Sequence, residues 1–325
     1  MIIVVSHPSD LHATIVLSRL MELGADAVLF NTADFPQRNS LWLDATPAGF
    51  SAELSAGPSS IDLKDVAVVW WRRPQPHELD SAMASREDWN FAYGECHAAM
   101  SGLFASMDAF WINEPLKDER AAQKVYQLKL AQELGFRIPR TCITNQPAAA
   151  KAFIDREGRR GTIYKAFSAT SQAWRETRLL RPNEIELIDS VRHAPVIFQE
   201  YVEAEVDLRI TLIGGKIFAA AIHSQETDYK VDFRMHIDSA RYDAHELPRH
   251  VKAKLLQYMA ALGLVYGAID MRLTPEGDYV FLEINPCGQW LFAEQKTGLP
   301  ITEALTSLMV EHDLSRKRPA RRKSA

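Results

Sequence analysis

The chain has 325 residues, of which 47% are hydrophobic and 24% charged, and its formal net charge is −5. This length is too great for one compact core and predicts two or three packed lobes. The composition is that of an ordinary globular protein and gives no indication of a nucleic-acid partner.

The first residues and the cysteines bear on the cellular setting. Residues 1–7 form an apolar run of strand length without the basic start or the small-residue cleavage site of a signal peptide. No stretch approaches the roughly twenty uninterrupted apolar residues of a membrane-spanning helix. Cys96, Cys142 and Cys287 have neither paired zinc spacing nor the even number of a disulfide framework. We therefore expect a cytoplasmic protein with no membrane partner.

The first third of the chain alternates strand and helix patterns. Residues 2–5 predict a buried strand and residues 10–23 an amphipathic helix. Short strands are predicted at 28–30 and 66–71. This alternation favours an α/β opening domain, and no Gly-x-Gly-x-x-Gly follows the first strand to indicate a dinucleotide site.

A second unit begins near Asn113, where Asn-Glu-Pro interrupts the pattern before a helical run at 124–134. The strand patterns that follow lie at 162–167, 196–199, 207–213 and 216–222. Gly214-Gly215 joins the last two strands and predicts a tight hairpin.

The last third adds a helix at 248–262 and two strands at 267–273 and 278–284, joined by the turn Thr274-Pro-Glu-Gly277. A final helix is predicted at 301–312. The basic, proline-containing residues beyond it predict a disordered tail.

Polar residues on the last two strands predict a metal site. Successive strand side chains point to opposite faces, so Glu283 and Asn285 share one face and Leu282 and Ile284 the other. Asp270, on the preceding strand, reaches the same side as Glu283. Two carboxylates and an amide oxygen suit Mg²⁺. A structural acid-amide cluster is the alternative, but carboxylates within apolar runs that should be buried favour the metal.

An ordered series of motifs resembles the ATP-grasp superfamily of carboxylate ligases. Lys124 and Lys165 resemble its two phosphate-binding lysines, and Phe198-Gln-Glu-Tyr-Val202 resembles the hinge whose backbone binds adenine. Asp207-Leu-Arg209 is similar to the ribose-binding acid and the arginine behind it. Asp232-Phe-Arg234 resembles the motif whose arginine faces the γ-phosphate.

The resemblance implies a complete site for ATP and Mg²⁺. It assigns ATP binding to Lys124, Lys165, Glu200, Tyr201, Val202, Asp207 and Leu282, metal binding to Asp270, Glu283 and Asn285, and catalysis to Arg209 and Arg234. Two departures from the family pattern stand out: His236 replaces a polar ligand, and the lid loop Ser168-Ala-Thr-Ser-Gln172 lacks glycine.

The implied fold is α/β with α+β lobes. It comprises an N-terminal pre-ATP-grasp α/β domain (1–113), a central lid domain (114–198), a C-terminal ATP-grasp domain with an antiparallel sheet (199–313) and a disordered basic tail (314–325).

Further motifs narrow the resemblance to the ribosomal peptide maturases that make graspetides, the microviridin-type macrocycles. They are Val69-Trp-Trp-Arg-Arg-Pro74, Trp111-Ile-Asn-Glu-Pro115, Ala221-Ile-His-Ser224 and Asn285-Pro-Cys-Gly-Gln-Trp290. Such enzymes phosphorylate Asp or Glu side chains of a precursor peptide, which has a leader and an acidic core. They then join these side chains to Thr, Ser or Lys as internal esters or amides. The resemblance also implies a homodimer.

Two other functions stay open. One is an amino-acid or peptide ligase that uses a free amine as the nucleophile, and the other is a nucleotide-binding module without catalysis. The intact metal-ligand set and both lysines argue against the second.

Several residues have structural interpretations beside the functional ones. Lys124 would then be a solvated charge, and Arg209 a structural partner of Asp207. Arg72 and Arg73 either gather an acidic peptide or form the charged end of an edge strand.

Ester formation benefits from a general base, and His223 and His236 are the candidates in the sequence. Trp290 is interpreted as a core residue rather than a substrate platform. Cys287 is interpreted as a small buried residue.

Overall fold

The computed structural model describes residues 1–57, 59–158, 161–167 and 177–317, with Lys317 described by its backbone only. The chain forms two compact units. The first comprises Met1–Asp118, Leu264–Tyr266 and the described residues from Pro300 onwards, and the second comprises Glu119–Gly263 and Gly267–Leu299.

The strands and helices are numbered in chain order. The strands are β1 (Ile2–Val5), β2 (Ala27–Phe30), β3 (Leu41–Thr46), β4 (Gly49–Ala56), β5 (Ser59–Asp62), β6 (Val68–Trp71), β7 (Phe110–Ile112), β8 (Thr141–Thr144), β9 (Thr162–Lys165), β10 (Arg178–Leu179), β11 (Val196–Glu200), β12 (Val206–Ile213), β13 (Lys216–Ile222), β14 (Tyr242–Ala244), β15 (Tyr266–Leu273) and β16 (Tyr279–Asn285). The helices are α1 (Leu11–Glu22), α2 (Arg86–Ser106), α3 (Pro115–Ala122), α4 (Lys124–Glu133), α5 (Pro147–Glu157), α6 (Pro182–Ile185), α7 (Arg249–Leu262), α8 (Leu291–Thr297) and α9 (Ile301–Lys317).

A parallel sheet in the order β2, β1, β6, β7 forms the centre of the first unit. All four residues of β1 are buried, which accounts for the uniformly apolar start of the chain. Helix α1 begins after Asp10, whose carboxylate caps it by accepting from the His12 N–H. The predicted opening elements are confirmed.

Several elements of the first unit were not predicted, among them strands β3, β4 and β5 and helix α2. The antiparallel meander β3, β4, β5 contributes Leu54 and Ile61 to the core, but β3 is almost fully exposed. Helix α2 is 21 residues long and buries only Met100, Leu103 and Phe104. Strand β3 and helix α2 therefore lack the hydrophobic periodicity by which strands and helices are identified.

The position of Arg72 contradicts the interpretation of residues 72 and 73 as the charged end of an edge strand. Strand β6 lies between β1 and β7, so the residues after it are not at a sheet edge. The Arg72 side chain is fully buried, and its Nε donates to Asp10 Oδ2 at 3.1 Å. A buried arginine needs such a partner, so we assign this pair to structure.

Two antiparallel sheets form the second unit. The smaller has the order β10, β9, β11, β8, and the larger has the order β14, β13, β12, β15, β16. The β12–β13 hairpin is confirmed: Ile213 pairs with Lys216, and Gly214 and Gly215 have φ values of 52° and 87°, as a type I′ turn requires. The mixed α/β architecture is thus confirmed.

The predicted C-terminal boundaries need one correction. Helix α9 continues to Lys317 instead of ending near residue 312, so the first residues of the predicted tail are helical. The rest of that tail, 318–325, and the predicted lid loop, 168–172, lie outside the described residues. The domain boundary at 198/199 falls within β11 and stays a prediction.

The described helices include none that is both long and apolar enough to cross a bilayer. Cys96, Cys142 and Cys287 are free thiols.

Candidate active site

A cavity of about 260 Å³ in the second unit is lined by residues from both antiparallel sheets. The residues that the sequence analysis assigns to ATP, metal or catalysis line it, except Arg209 and the two candidate bases, His223 and His236. The residues that the sequence analysis grouped as one site therefore lie around one cavity, although their partners differ in part from those expected.

Two carboxylates lie side by side at one end of the cavity. Asp270 on β15 and Glu283 on β16 are directly paired across the strands, an arrangement of like charges that is destabilising by itself. Each carboxylate has a cation: Arg209 Nη1 lies 2.8 Å from Asp270 Oδ1, and Lys124 Nζ lies 2.6 Å from Glu283 Oε2. The Asn285 amide nitrogen donates to Glu283 Oε1 at 3.2 Å.

The environment moves the pKa values of the two carboxyls apart. Burial raises the pKa of Asp270 and Glu283 adds to the rise, while Arg209 opposes it. Burial also works against the ionised form of Glu283, but the charges of Lys124 and Lys165 outweigh it and lower the pKa of this group. Neighbouring acids with separated pKa values are typical of functional sites.

The donor set fits a hard cation. The part of the chain that the structure describes contains no group of three or more His, Cys, Asp or Glu residues placed to hold a metal. Asp270 and Glu283 supply carboxylate oxygens, and a half-turn of the Asn285 amide brings its oxygen to the same point. Mg²⁺ takes one or two carboxylates and obtains its other ligands from water and phosphate, so this set suits it.

A β-bulge corrects the predicted alternation on β16. The register between β15 and β16 shifts after Asp270, so that Glu283 pairs with Asp270 but Phe281 pairs with Met271. Leu282 is the extra residue and lines the cavity together with Glu283, whereas strict alternation had placed it on the opposite face. Bulges re-aim side chains next to active sites in this way.

Helix α4 places Lys124 opposite Glu283. Gln127, one turn further along the same face, is buried. Its side-chain amide hydrogen-bonds to both backbone groups of Ile284, as the backbone of a neighbouring strand would. Its Nε2 donates to the Ile284 oxygen at 2.9 Å and its Oε1 accepts from the Ile284 N–H at 3.2 Å. Lys124 therefore lies in the cavity wall, paired with Glu283, and is not a solvated charge.

Cations line the part of the cavity next to the acids. Arg234 pairs with Asp232 at 2.5 Å. Lys165, on β9, has no carboxylate within ion-pair distance among the described residues. Burial lowers the pKa of Lys165, Glu283 opposes this, and the nearby charges of Lys124 and Arg234 lower the pKa further. An anion bound next to Lys165 would relieve this unfavourable environment.

The predicted hinge runs along another wall. The Glu200 N–H donates to Arg140 and the Tyr201 N–H to Gly161 through their backbone oxygens, at 2.9 and 3.1 Å. The Val202 N–H has no hydrogen-bond partner among the residues described. This backbone donor is the one that the hinge offers to a ligand.

Asp207 and Arg209 have different partners from those expected. Arg209 is not a partner of Asp207, because it binds Asp270 and donates to the Gln289 oxygen at 2.8 and 3.1 Å. Asp207 instead accepts from Arg272 Nε at 2.8 Å and from the hydroxyl of Ser224. Both carboxylate oxygens of Asp207 are thus engaged within the protein.

Sequence reasoning missed Arg272. It lies on the same face of β15 as Asp270, two residues further along, inside a run that is otherwise apolar. A charged residue two positions after Asp270 was the available signal for a second polar side chain on this face. It could not identify the partner, because Asp207 lies 65 residues away in sequence.

The interpretation of Trp290 as a core residue is confirmed. Trp290 is completely buried. A Cβ atom on Gly288 would lie 2.4 Å from the Ala268 Cβ and 2.9 Å from Arg209 Nη2, so only glycine fits there. Cys287 is partly buried.

The two candidate bases do not line the cavity. His223 Nε2 lies 2.8 Å from Asp243, and its Nδ1 lies 2.7 Å from Arg241. His236 Nδ1 contacts the Ser239 hydroxyl at 3.4 Å. Because both ring nitrogens of His223 are engaged, it is not placed to accept a proton in the cavity.

Comparisons with known families agree with this geometry. Residues 1–119 match the MvdD pre-ATP grasp domain, and residues 121–309 match the RimK-like ATP-grasp domain. A probable alpha-L-glutamate ligase of Enterobacter sp. (strain 638) is 26% identical over 217 residues, covering 64% of this chain and 70% of that protein.

Solved structures extend the similarity over the whole chain. The macrocyclase MdnC bound with precursor peptide MdnA from Microcystis aeruginosa MRC has a TM-score of 0.85 and 29% identity, covering 95% of this chain and 99% of that one. A Chryseobacterium gregarium RiPP-associated ATP-grasp ligase in complex with ADP and a leader and core peptide has a TM-score of 0.85 and 27% identity, covering 100% and 99%. The chain therefore belongs to the RimK-like ATP-grasp family and is an ATP- and Mg²⁺-dependent ligase with an MvdD-type pre-ATP-grasp domain.

Proposed function

We propose that this ligase is a graspetide-type macrocyclase. It phosphorylates Asp or Glu side chains of a ribosomally made precursor peptide and condenses them with Thr, Ser or Lys side chains into macrocyclic esters or amides. The extent of similarity carries this proposal: the likeness to a macrocyclase bound with its precursor peptide covers 95% of the chain, whereas the likeness to the glutamate ligase covers 64%.

The charges in the cavity support the binding of a triphosphate. Lys165 has no carboxylate partner among the described residues and faces the same cavity as Lys124 and Arg234. Because phosphoryl transfer depends mainly on positioning and charge neutralisation, these three cations are the groups we assign to the phosphates.

The Lys124–Glu283 pair acts in nucleotide binding through an exchange of partners. The two groups neutralise each other at 2.6 Å, and Glu283 would be available to hold a metal once Lys124 bound a phosphate instead. A bound Mg²⁺ would supply charge neutralisation for the transferred phosphoryl group. Asp270 and Asn285 would complete the protein ligands of such an ion, and Arg209 orients Asp270 rather than contacting the substrate.

The chemistry follows from the weakness of a carboxylate as an acyl donor. A substrate carboxylate oxygen attacks the γ-phosphorus, ADP leaves, and an acyl phosphate forms. A hydroxyl or amine then attacks the acyl carbon, loses its proton, and expels phosphate that retains the original carboxylate oxygen. Arg234 is the cation assigned to the charge that develops on the transferred group.

The test is a reaction of the enzyme with ATP, Mg²⁺ and an acidic, Thr-containing peptide encoded next to the gene. We expect the peptide mass to fall by about 18 Da for each condensation, as loss of water requires. K165M should greatly slow this change, and K216M, which removes an exposed lysine from the same unit, should not. An unchanged peptide mass beside hydrolysed ATP would contradict the proposal.

A ligase that adds a free amine is the second candidate, because the curated relative is a probable glutamate ligase. Adding free amino acids to the same reaction separates the two. The second candidate predicts a gain of mass that depends on the added amino acid, and the first predicts a loss that does not.

We also propose that two copies form a homodimer, that the precursor peptide contributes both leader and core contacts, and that the protein is cytoplasmic. The free thiols Cys96, Cys142 and Cys287 support a reducing compartment. Light scattering on the purified chain tests the dimer, and a mass of one chain would contradict it.

A further inference from the structure

Arg272 joins three segments of the cavity wall. Its side chain is almost completely buried, and Nε donates to Asp207 on β12 at 2.8 Å. Nη1 donates to the Val202 oxygen at 2.6 Å, and Nη2 donates to the oxygens of Lys230 and Val231 at 3.0 and 2.9 Å. One guanidinium therefore fixes the hinge, the 230–231 segment and the large sheet together.

The contacts require the geometry of arginine. Three nitrogens donate in different directions within one plane, and the guanidinium lies 5.4 Å from the centre of the Tyr201 ring. Lysine would keep the charge but would have neither the planar fork nor the reach to all these oxygens. Asp207 neutralises the buried charge, and its second oxygen accepts from Ser224.

Arg272 fixes the backbone on one side of the hinge donor. The Tyr201 N–H is bonded to Gly161, and the Val202 oxygen is bonded to Arg272. The Val202 N–H lies between these two anchored groups, in the cavity wall. The direction of the Val202 N–H is therefore set by hydrogen bonds on both sides. The bond from Arg272 is the one that a side-chain substitution can remove.

An N–H donor in this position discriminates between purines. The Watson–Crick edge of adenine presents an unprotonated ring nitrogen, which accepts a hydrogen bond, whereas guanine carries a proton at that nitrogen. A fixed N–H therefore donates to the ring nitrogen of adenine. In guanine the same N–H faces a second N–H, and neither donor finds an acceptor.

We infer that Arg272 is a positioning residue for base selection: by bridging the Val202 carbonyl and the Asp207 carboxylate, it aims the Val202 N–H at adenine. Asp207 acts in this arrangement as the partner of Arg272 rather than as a group that only contacts ribose. The inference rests on the proposed use of this cavity for ATP, and it is independent of the peptide that is modified.

The experiment measures the dissociation constants of Mg²⁺–ATP and Mg²⁺–GTP by calorimetry for the wild type and R272K, without peptide. We expect the wild type to prefer ATP and R272K to weaken ATP binding by about 10-fold, the equivalent of one hydrogen bond. GTP binding should change much less, so the ATP preference falls by a similar factor. The ratio of two constants measured on the same folded protein is insensitive to a loss of stability.

R72K is the matched control, since Arg72 is also buried and paired with an aspartate but belongs to the first unit. It should lower the melting temperature and leave the ATP preference unchanged. D207N is the second variant, in case R272K does not fold, and it should reduce the preference in the same direction because it frees Arg272.

A wild type that binds ATP and GTP equally would overturn the inference. So would folded R272K or D207N protein with the wild-type preference. A wild type that prefers ATP but leaves every candidate peptide unmodified would instead contradict the macrocyclase proposal, so the two failures are distinguishable.

Discussion

Both units contain buried arginine–aspartate pairs, and the Arg72–Asp10 pair of the first differs from the Arg209–Asp270 pair of the second in where the aspartate lies. Asp10, paired with Arg72 in the first unit, caps helix α1 and is buried in the protein. Asp270, paired with Arg209 in the second unit, lines a cavity beside a second carboxylate. Burial and pairing alone therefore do not distinguish a structural charge from a functional one. What distinguishes the functional charge is that it lines a cavity together with other charged groups.

The sharpest way to test this contrast is to remove a cation that has no carboxylate partner among the described residues. We expect K165M to reduce the rate of ATP-dependent peptide modification by about 10²- to 10³-fold, since it deletes a charge aimed at the phosphates. The melting temperature should stay the same or rise, because a partly desolvated ammonium is lost. Steady-state kinetics and calorimetry check both parts, and a variant that loses activity only by unfolding would contradict the assignment.

The structural pair should behave in the opposite way. Because D10N leaves Arg72 without its anionic partner, we expect about 3–5 kcal/mol of destabilisation, as for other broken buried pairs. Urea unfolding measures it, and the ATP affinity of the folded protein should not change. A large loss of ATP affinity in folded D10N protein would show that the two pairs are not separate in function.

The same pair gives a pH signature. Burial opposes ionisation of Asp10, but hydrogen bonds from His12 and Ser6 and the charge of Arg72 hold the pKa of this carboxyl well below its usual range. The unfolded chain therefore binds the proton more tightly, so the contribution of Asp10 is complete above the unfolded pKa of about 3.9 and declines below it. The stability difference between wild type and D10N should be constant near neutral pH and shrink as the pH falls below about 4.

A smaller effect is expected where the backbone supports the site. G288A would bring a Cβ atom against Ala268 and Arg209, and such overpacking costs about 1–3 kcal/mol. Because Arg209 holds Asp270, the variant should also bind Mg²⁺ less tightly, so that a kinetic titration shows a higher Mg²⁺ concentration at half-maximal rate. If G288A had the stability and kinetics of the wild type, residues 288–290 would be able to shift without cost and would not fix Arg209.

His223 should matter least. Both of its ring nitrogens are engaged outside the cavity, with Asp243 and Arg241. H223A should therefore change the turnover number by less than about 2-fold, within the range of surface ion pairs. A loss of activity that is restored at high pH would instead identify His223 as the general base.

Much of the fold was readable because its signals are local. The buried strand β1 is a continuous apolar run, and the β12–β13 hairpin is encoded by two adjacent glycines. The grouping of the candidate site residues could be predicted because they form an ordered series along the chain. Contacts between distant residues were not, such as the pairing of Arg272 with Asp207 or the bulge that turns Leu282 into the cavity. Helix α2 was missed because it buries too little surface to show a period.

The central claim, that a peptide side-chain carboxylate is activated by phosphorylation, has a direct isotopic test. A peptide labelled with ¹⁸O in its Asp and Glu carboxylates is incubated with enzyme, ATP and Mg²⁺, and the released phosphate is analysed by mass spectrometry. Each link formed should yield one phosphate about 2 Da heavier, because the acyl phosphate carries a carboxylate oxygen away with phosphorus. Formation of links with only unlabelled phosphate would contradict the account.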